Sequence, residues 1–286
     1  MERLLITSRQ NPNLSALCKL DSRKGRDSAC RFRMDGWKLV REAVARGVKI
    51  ECVFVRRDVE AEWDELCRKD PAYDRIPVYL VEPGLFDRIS DEKAPEGVIA
   101  RACYIDNFSK STIIDEDSFQ KVLRDTNRGI LFLDAVQNPE NLGALIRSAA
   151  AFGVRDVVCG PDCADFYHPK LLRASMGTVF DRNLYAVQDL PGAIRARTRL
   201  GGRVFAAVPA GNAQTLGRMR TLKGDSVVIG NEGHGLSADV RDACTSGLTI
   251  PMDPGAESLN AAVAGGILLW ELWGRGVGEE SDKRQD

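Results

Sequence analysis

Several features that would place a chain quickly are missing from this one. No apolar run reaches transmembrane length; the longest, Ala261 to Trp270, is short and contains Gly265-Gly266. The opening MERLLITSRQNPN lacks the long apolar stretch of a secretory signal, so a cytoplasmic protein with no membrane partner is expected. Only two histidines occur, and the eight cysteines include no CxxC pair. Cys159 and Cys163 alone stand close, and the spacings match no zinc set. Reduced thiols and no metal are therefore expected. A phosphate loop is absent, because no glycine-rich turn is followed by Lys-Ser or Lys-Thr. The turn where a dinucleotide fingerprint would belong has Gly143 only, which disfavours ATP and nicotinamide cofactors. There is no internal repeat and no low-complexity segment.

What remains is an ordinary globular composition, 44% hydrophobic and 28% charged, in a 286-residue chain long enough for one large or two modest domains. The net charge of −1 hides an asymmetry. Residues 1–57 hold 14 Lys and Arg against 6 Asp and Glu, leaving 26 against 35 for the rest. A basic N-terminal region fits a polyanion partner about as well as it fits a solvated surface.

Apolar periodicity divides the chain. Residues 1–27 look like a basic extension with a turn and a short helix. Residues 28–105 alternate helices and strands: a helix over Trp37–Arg46 ended by Gly47, strands at Ile50–Val55, Val78–Leu80 and Gly97–Tyr104, and helices near Trp63–Lys69 and Pro83–Ile89. Residues 106–127 are polar and read as a linker with one amphipathic helix near Asp117–Arg124. From 128 to 277, short apolar strands at Gly129–Ala135, Asp156–Cys159, Arg203–Val208, Ser226–Gly230 and Leu248–Ile250 alternate with helices. That pattern predicts an α/β domain with a parallel sheet covered on both faces. Residues 278–286 form a charged tail.

Four stretches carry chemistry. In the first, DAVQNPENLGALIRSAAAFG, Asn138 suits an N-cap with Pro139 after it, and Gly153 suits the C-terminal end. Asn141 falls in the first turn, and Arg147 lies off its face. In the second, HPKLLRASMG, Lys170 and Arg173 are one turn apart and suited to phosphates, or to an ordinary helix surface. The third, VVIGNEGHGL, ends a strand in a turn that presents Glu232. In the fourth, IPMDPGAESLNAAVA, Ser258 is the expected cap of the last helix and Asn260 falls in its first turn. Two strand ends and a helix start thus converge, as at ligand crevices of open parallel sheets.

In order and spacing, NPENLGALIRSAAAFG, VVIGNEGHGL and IPMDPGAESLNAAVA resemble the three motifs of the SpoU–TrmH family of RNA ribose 2′-O-methyltransferases, within the SPOUT class. RASMG resembles a further family segment. Upstream, ITSRQNPN, FRMDGWKLVREA and APEGVIA resemble the small substrate-binding domain that precedes the catalytic one in many members.

The resemblance implies a parallel-sheet SPOUT domain with a deep trefoil knot, preceded by a small α/β, L30e-like domain. It implies S-adenosylmethionine held near Gly230, Ile250, Met252 and Leu259, and a homodimer whose site is completed across the interface. It also implies that Arg147 takes the central catalytic role, as a phosphate clamp or, in a dry site, as the base, with Glu232 placed to orient it and Asn141, Ser258 and Asn260 holding nucleotide or loops. RNA would be captured through Arg23, Lys24, Arg26, Arg31 and Arg33, with Lys170 and Arg173 on phosphates. Ribosomal RNA is the expected substrate. A transfer-RNA 2′-O-methyltransferase and a non-catalytic RNA-binding or ribosome-assembly factor on the same fold are the alternatives.

Overall fold

The computed structural model describes residues 3–105, 116–209, 213–253 and 255–275. The chain divides into two units, one of residues 1–105 with 165–180, the other of residues 106–164 with 181–286.

The first unit is built on a mixed five-stranded sheet. Its strands are β1 (Leu4–Ile6), β2 (Arg31–Asp35), β3 (Ile50–Arg56), β4 (Val78–Val81) and β5 (Val98–Cys103), in the order β1-β4-β3-β5-β2. β4 runs parallel to β1 and β3, whereas β5 runs antiparallel to β2 and β3. The helices fall where the periodicity places them, at Trp37–Ala45, Glu60–Lys69 and Pro83–Ile89. The first 27 residues are not a separate extension. Leu4–Ile6 adds a strand to the sheet, Asn11 caps the helix Pro12–Cys18 by accepting from the Asn13 amide at 2.9 Å, and Leu14 and Leu17 enter the core. Two hydrophobic residues per short helix are enough to fix it by packing where propensity alone would not.

Residues 165–180, expected inside the second domain, belong to the first unit. The Tyr167 ring stacks on Tyr104 at 3.9 Å between centroids, and its hydroxyl accepts from the Ile105 amide and donates to the Ile105 carbonyl. Asp165 accepts two bonds from Arg26, at 2.6 and 3.1 Å.

The second unit carries a seven-stranded sheet in which every pairing is parallel. Its strands are β6 (Ile130–Leu133), β7 (Asp156–Cys159), β8 (Asn183–Ala186), β9 (Val204–Ala207), β10 (Ala213–Thr215), β11 (Ser226–Ile229) and β12 (Ser246–Thr249). The order is β10-β12-β9-β11-β6-β7-β8. β6, β7 and β11 are buried at every position, as continuous apolar runs between two helical layers should be. The sequence did not mark β8 and β10, which are short and partly polar. The expected linker splits: residues 106–115 lie outside the described residues, while Glu116–Arg124 is the expected helix and Leu123 joins the second unit's core. The fully buried Arg197 ties this region down by donating to the carbonyls of Leu123, Asp125 and Gly224. The expected tail, 278–286, lies outside the described residues.

The helix Pro139–Ala151 packs on the helix Ala261–Leu269. Gly265 permits this: a Cβ there would lie 2.1 Å from Leu145 Cδ2. Of the glycine pair in the last helix, Gly265 is therefore the close-packing device within the chain, while Gly266 has room for a side chain.

Candidate active site

A cavity of about 440 Å³ opens beyond the carboxyl ends of β9, β11 and β12. That is the end at which open parallel sheets bind ligands. Three strand exits form the wall: Ala207–Pro209 after β9, Ile229–Glu232 after β11, and Leu248–Ile250 with Met252 after β12. Ser258, Leu259 and Ala261 close it from the last loop and helix. Gly230, Ile250, Met252 and Leu259, the four positions expected at a cofactor, all line this one cavity. Gly230 has no room for a side chain, because a Cβ would come within 2.4–2.6 Å of backbone atoms of Gly235 and Leu236. The turn after β11 is held tightly against its own strand end for that reason.

Beside the cavity, the first, third and fourth stretches meet in one hydrogen-bond network. Asn138 caps the helix Pro139–Ala151, its Oδ1 accepting from the Glu140 amide at 2.8 Å. Glu232 accepts from the amides of Gln137 and Asn138 at 3.3 and 3.2 Å, and from Asn141 Nδ2 at 3.0 Å. Asn141 is buried, and its Oδ1 accepts from Asn260 Nδ2 at 3.0 Å. Asn260 Oδ1 in turn accepts from the Ala262 and Val263 amides. Burial alone would push the Glu232 carboxyl up, but the bonds from Asn141 and the two backbone amides outweigh it and hold it below its ordinary range. The carboxylate sits next to a helix N-terminus, which favours the ionised form further.

Two expectations change here. The cap of the last helix is Asn260, not Ser258; the helix begins at Ala261, and Ser258 is an exposed loop residue on the cavity wall. Within this chain Glu232 makes no bond to Arg147. Its carboxylate is committed to Asn141 and the amides, while Arg147 is exposed, outside the cavity lining, and has no polar partner among the described residues. The arginine lies six residues along the helix from Asn141, on another face, which is why the same carboxylate cannot reach both.

The expected RNA-binding residues also divide. Arg23 and Lys24 are exposed, Arg23 with only a loose 3.8 Å approach to Asp27. Arg31 pairs with Glu51 at 2.6 Å. Arg26 and Arg33 are buried and cannot meet RNA in this fold. Besides Asp165, Arg26 donates to the carbonyls of Leu20 and Asp21, and Arg33 forks onto Asp35 while reaching Asp21 and the Ile89 carbonyl. In the helix Pro169–Ser175, Lys170 is exposed, whereas Arg173 is half-buried and stands 4.0 Å from Glu92. His168 is this helix's cap, its Nδ1 accepting from the Lys170 amide.

Several cavity residues had no sequence signal. Arg241 comes from the short helix Ala238–Ala243, and Glu257 from the loop before Asn260. Asn231 staples the turn after β11 to the turn after β6, donating from Nδ2 to the Ala135 carbonyl at 2.9 Å. Ala135 itself sits at a positive φ of 53°, a conformation rare for a side-chain-bearing residue outside functional loops.

With this geometry in place, comparison with known proteins is decisive. The model of the SpoU rRNA methylase family matches residues 128–270, and that of the MRM3-like substrate binding domain matches residues 11–100. This chain belongs to the SpoU rRNA methylase family. It is 32% identical over 272 residues to a Synechocystis protein described as an uncharacterized tRNA/rRNA methyltransferase, covering 93% of this chain and 92% of that one. It is 28% identical to the Bacillus subtilis 23S rRNA (guanosine(2553)-2′-O)-methyltransferase RlmP, over 94% of this chain and 99% of the relative. Among solved structures, the AdoMet-bound rRNA methyltransferase from Sinorhizobium meliloti superimposes with a TM-score of 0.78 at 25% identity, covering 94% of this chain and 96% of that one. This SpoU-family fold thus includes a substrate-binding domain ahead of its parallel-sheet unit.

Proposed function

We infer that the protein is an S-adenosylmethionine-dependent methyltransferase that methylates a ribose 2′-hydroxyl in ribosomal RNA. The observation that carries this reading is the convergence of three separated stretches on one cavity: the Glu232–Asn141–Asn260 network locks together the loops that wall it. The fit to the donor is chemical. A volume of about 440 Å³ lies in the range of small-ligand sites. Apolar walls from Ile229, Leu248, Ile250 and Leu268 suit an adenine ring.

When bound, S-adenosylmethionine supplies a methyl group already activated on sulfur; the ribose 2′-oxygen takes the methyl carbon, and the electron pair of the broken C–S bond stays with sulfur. The chain's task is to position the hydroxyl and hold its surroundings. Asn141 and Asn260 fix the loops. Gly230, Ile250, Met252 and Leu259 contact the donor, and Ser258 faces the incoming nucleotide. Arg147 clamps the phosphate beside the target ribose; a guanidinium keeps its proton and donates in a fork that matches phosphate. The hydroxyl proton leaves to water.

This reading includes a homodimer. Val263, Ile267 and Trp270 are exposed at 51, 37 and 50%, a stripe at helical spacing along the last helix and its continuation. A second copy covering that stripe would bring its Arg147 to this cavity. A deep trefoil knot in the second unit and an L30e-like fold of the first belong to the same reading, supported by the placement of β12 between β9 and β10 and by the mixed sheet respectively. So does a cytoplasmic location, for which the support is that no described helix is long and apolar enough to cross a membrane. RNA is first held by Arg23, Lys24, Arg31, Lys170 and Arg173. The test is methyl transfer from labelled donor to ribosomal RNA, followed by nucleoside analysis. A labelled 2′-O-methylnucleoside is expected; label on a base, or transfer to transfer RNA alone, would refute the reading.

A further inference from the structure

The cavity beyond β9, β11 and β12 carries two charged side chains that the fold does not use. Arg241 and Glu257 both line it, both are exposed, and neither side chain has a hydrogen bond or ion pair among the described residues. The third charge in the wall, Glu232, is already committed to Asn141 and two amides. His234 is engaged as well, its Nδ1 lying 3.2 Å from Asn231 Oδ1. One cation and one anion therefore stand free in a wall that is otherwise largely apolar.

Apolar surroundings strengthen a charge's preference for an opposite charge, because less water competes. A ligand with separated negative and positive groups at one end, and an apolar or aromatic body, is complementary to such a wall. We propose that Arg241 and Glu257 grip the zwitterionic amino-acid end of the methyl donor, Arg241 its α-carboxylate and Glu257 its α-ammonium group. This rests on the donor reading given above and adds the residues that recognise the donor's amino-acid end. The guanidinium offers two parallel N–H groups to a carboxylate, a geometry that lysine lacks.

The test is calorimetric binding of two nucleosides to the full chain: S-adenosylhomocysteine, which keeps the amino-acid end, and 5′-methylthioadenosine, which lacks it. Arg241→Gln should weaken S-adenosylhomocysteine by about tenfold to a hundredfold, the value of a hydrogen-bonded charge pair, and leave 5′-methylthioadenosine within about twofold. Arg241→Lys should recover part of the loss. Glu257→Gln should show the same selectivity with a smaller effect, since a single ammonium contact is at stake. Equal binding of S-adenosylhomocysteine by the wild type and Arg241→Gln overturns the proposal. Equal weakening of both nucleosides also overturns it, because the arginine would then shape the cavity rather than recognise the amino acid. If the wild type binds neither nucleoside, the donor reading itself fails, a different result from loss of selectivity in the variants.

Discussion

Asn141→Ala removes the middle of the network that joins the three loops. The side chain donates to Glu232 at 3.0 Å and accepts from Asn260 at 3.0 Å. A bond to a carboxylate contributes about 1.5–3 kcal/mol when its partner is buried and a neutral one about 1 kcal/mol. Glu232 and Asn260 are exposed and can recruit water, so the net loss should fall near 2–3 kcal/mol. For a unit of this size that lowers the melting temperature by roughly 4–12 °C. Asn141→Asp is the sharper variant. It sets a second carboxylate against Glu232, and two carboxylates at hydrogen-bond distance cannot both ionise cheaply. The pair's pKa is then raised in the fold, so its penalty is present at neutral pH and relieved as pH falls. Differential scanning calorimetry between about pH 5 and 8 should show Asn141→Asp melting below Asn141→Ala at neutral pH, with the gap closing at the acid end. An Asn141→Ala melting point within about 1 °C of the parent, or an Asp variant with no such pH dependence, would refute the network as the lock between loops.

Other outcomes follow from the same geometry. Arg147→Lys should leave melting unchanged, since Arg147 has no partner to lose, yet lower methyl transfer by about a hundredfold through loss of the bidentate fork; near-normal turnover would refute the clamp. Gly230→Ala forces a Cβ into backbone 2.4 Å away and should abolish calorimetric donor binding, with about 2–4 kcal/mol lost in unfolding. Arg26→Gln strips the partner of Asp165 and should cost about 3–5 kcal/mol, whereas Arg23→Gln with Lys24→Gln should leave stability alone and reduce the salt dependence of RNA binding. Val263→Glu, at the most exposed point of the apolar stripe, should shift sedimentation toward the monomer.

The second unit was legible because its strands are unbroken apolar runs and its helix Pro139–Ala151 carries a full set of end signals. β8 and β10 escaped because short edge-side strands carry only part of that pattern. Arg33 was misread although its partner was in view: residues two apart on a strand share a face, so Asp35 lies beside it. Arg26 was misread for a different reason, since its carboxylate, Asp165, is 139 residues away. Ser258 and Asn260 are both good caps, and only the packed helix start decides between them. Arg241 and Glu257 have no local signature, because what sets them apart is an unpaired charge on a cavity wall.

The most direct measurement is a crystal structure of the protein with S-adenosylhomocysteine. The expected result is the nucleoside between Gly230, Ile250 and Leu259, with its sulfur toward the Asn141–Asn260 side of the cavity. Electron density elsewhere, or an empty cavity at saturating ligand, would contradict the account.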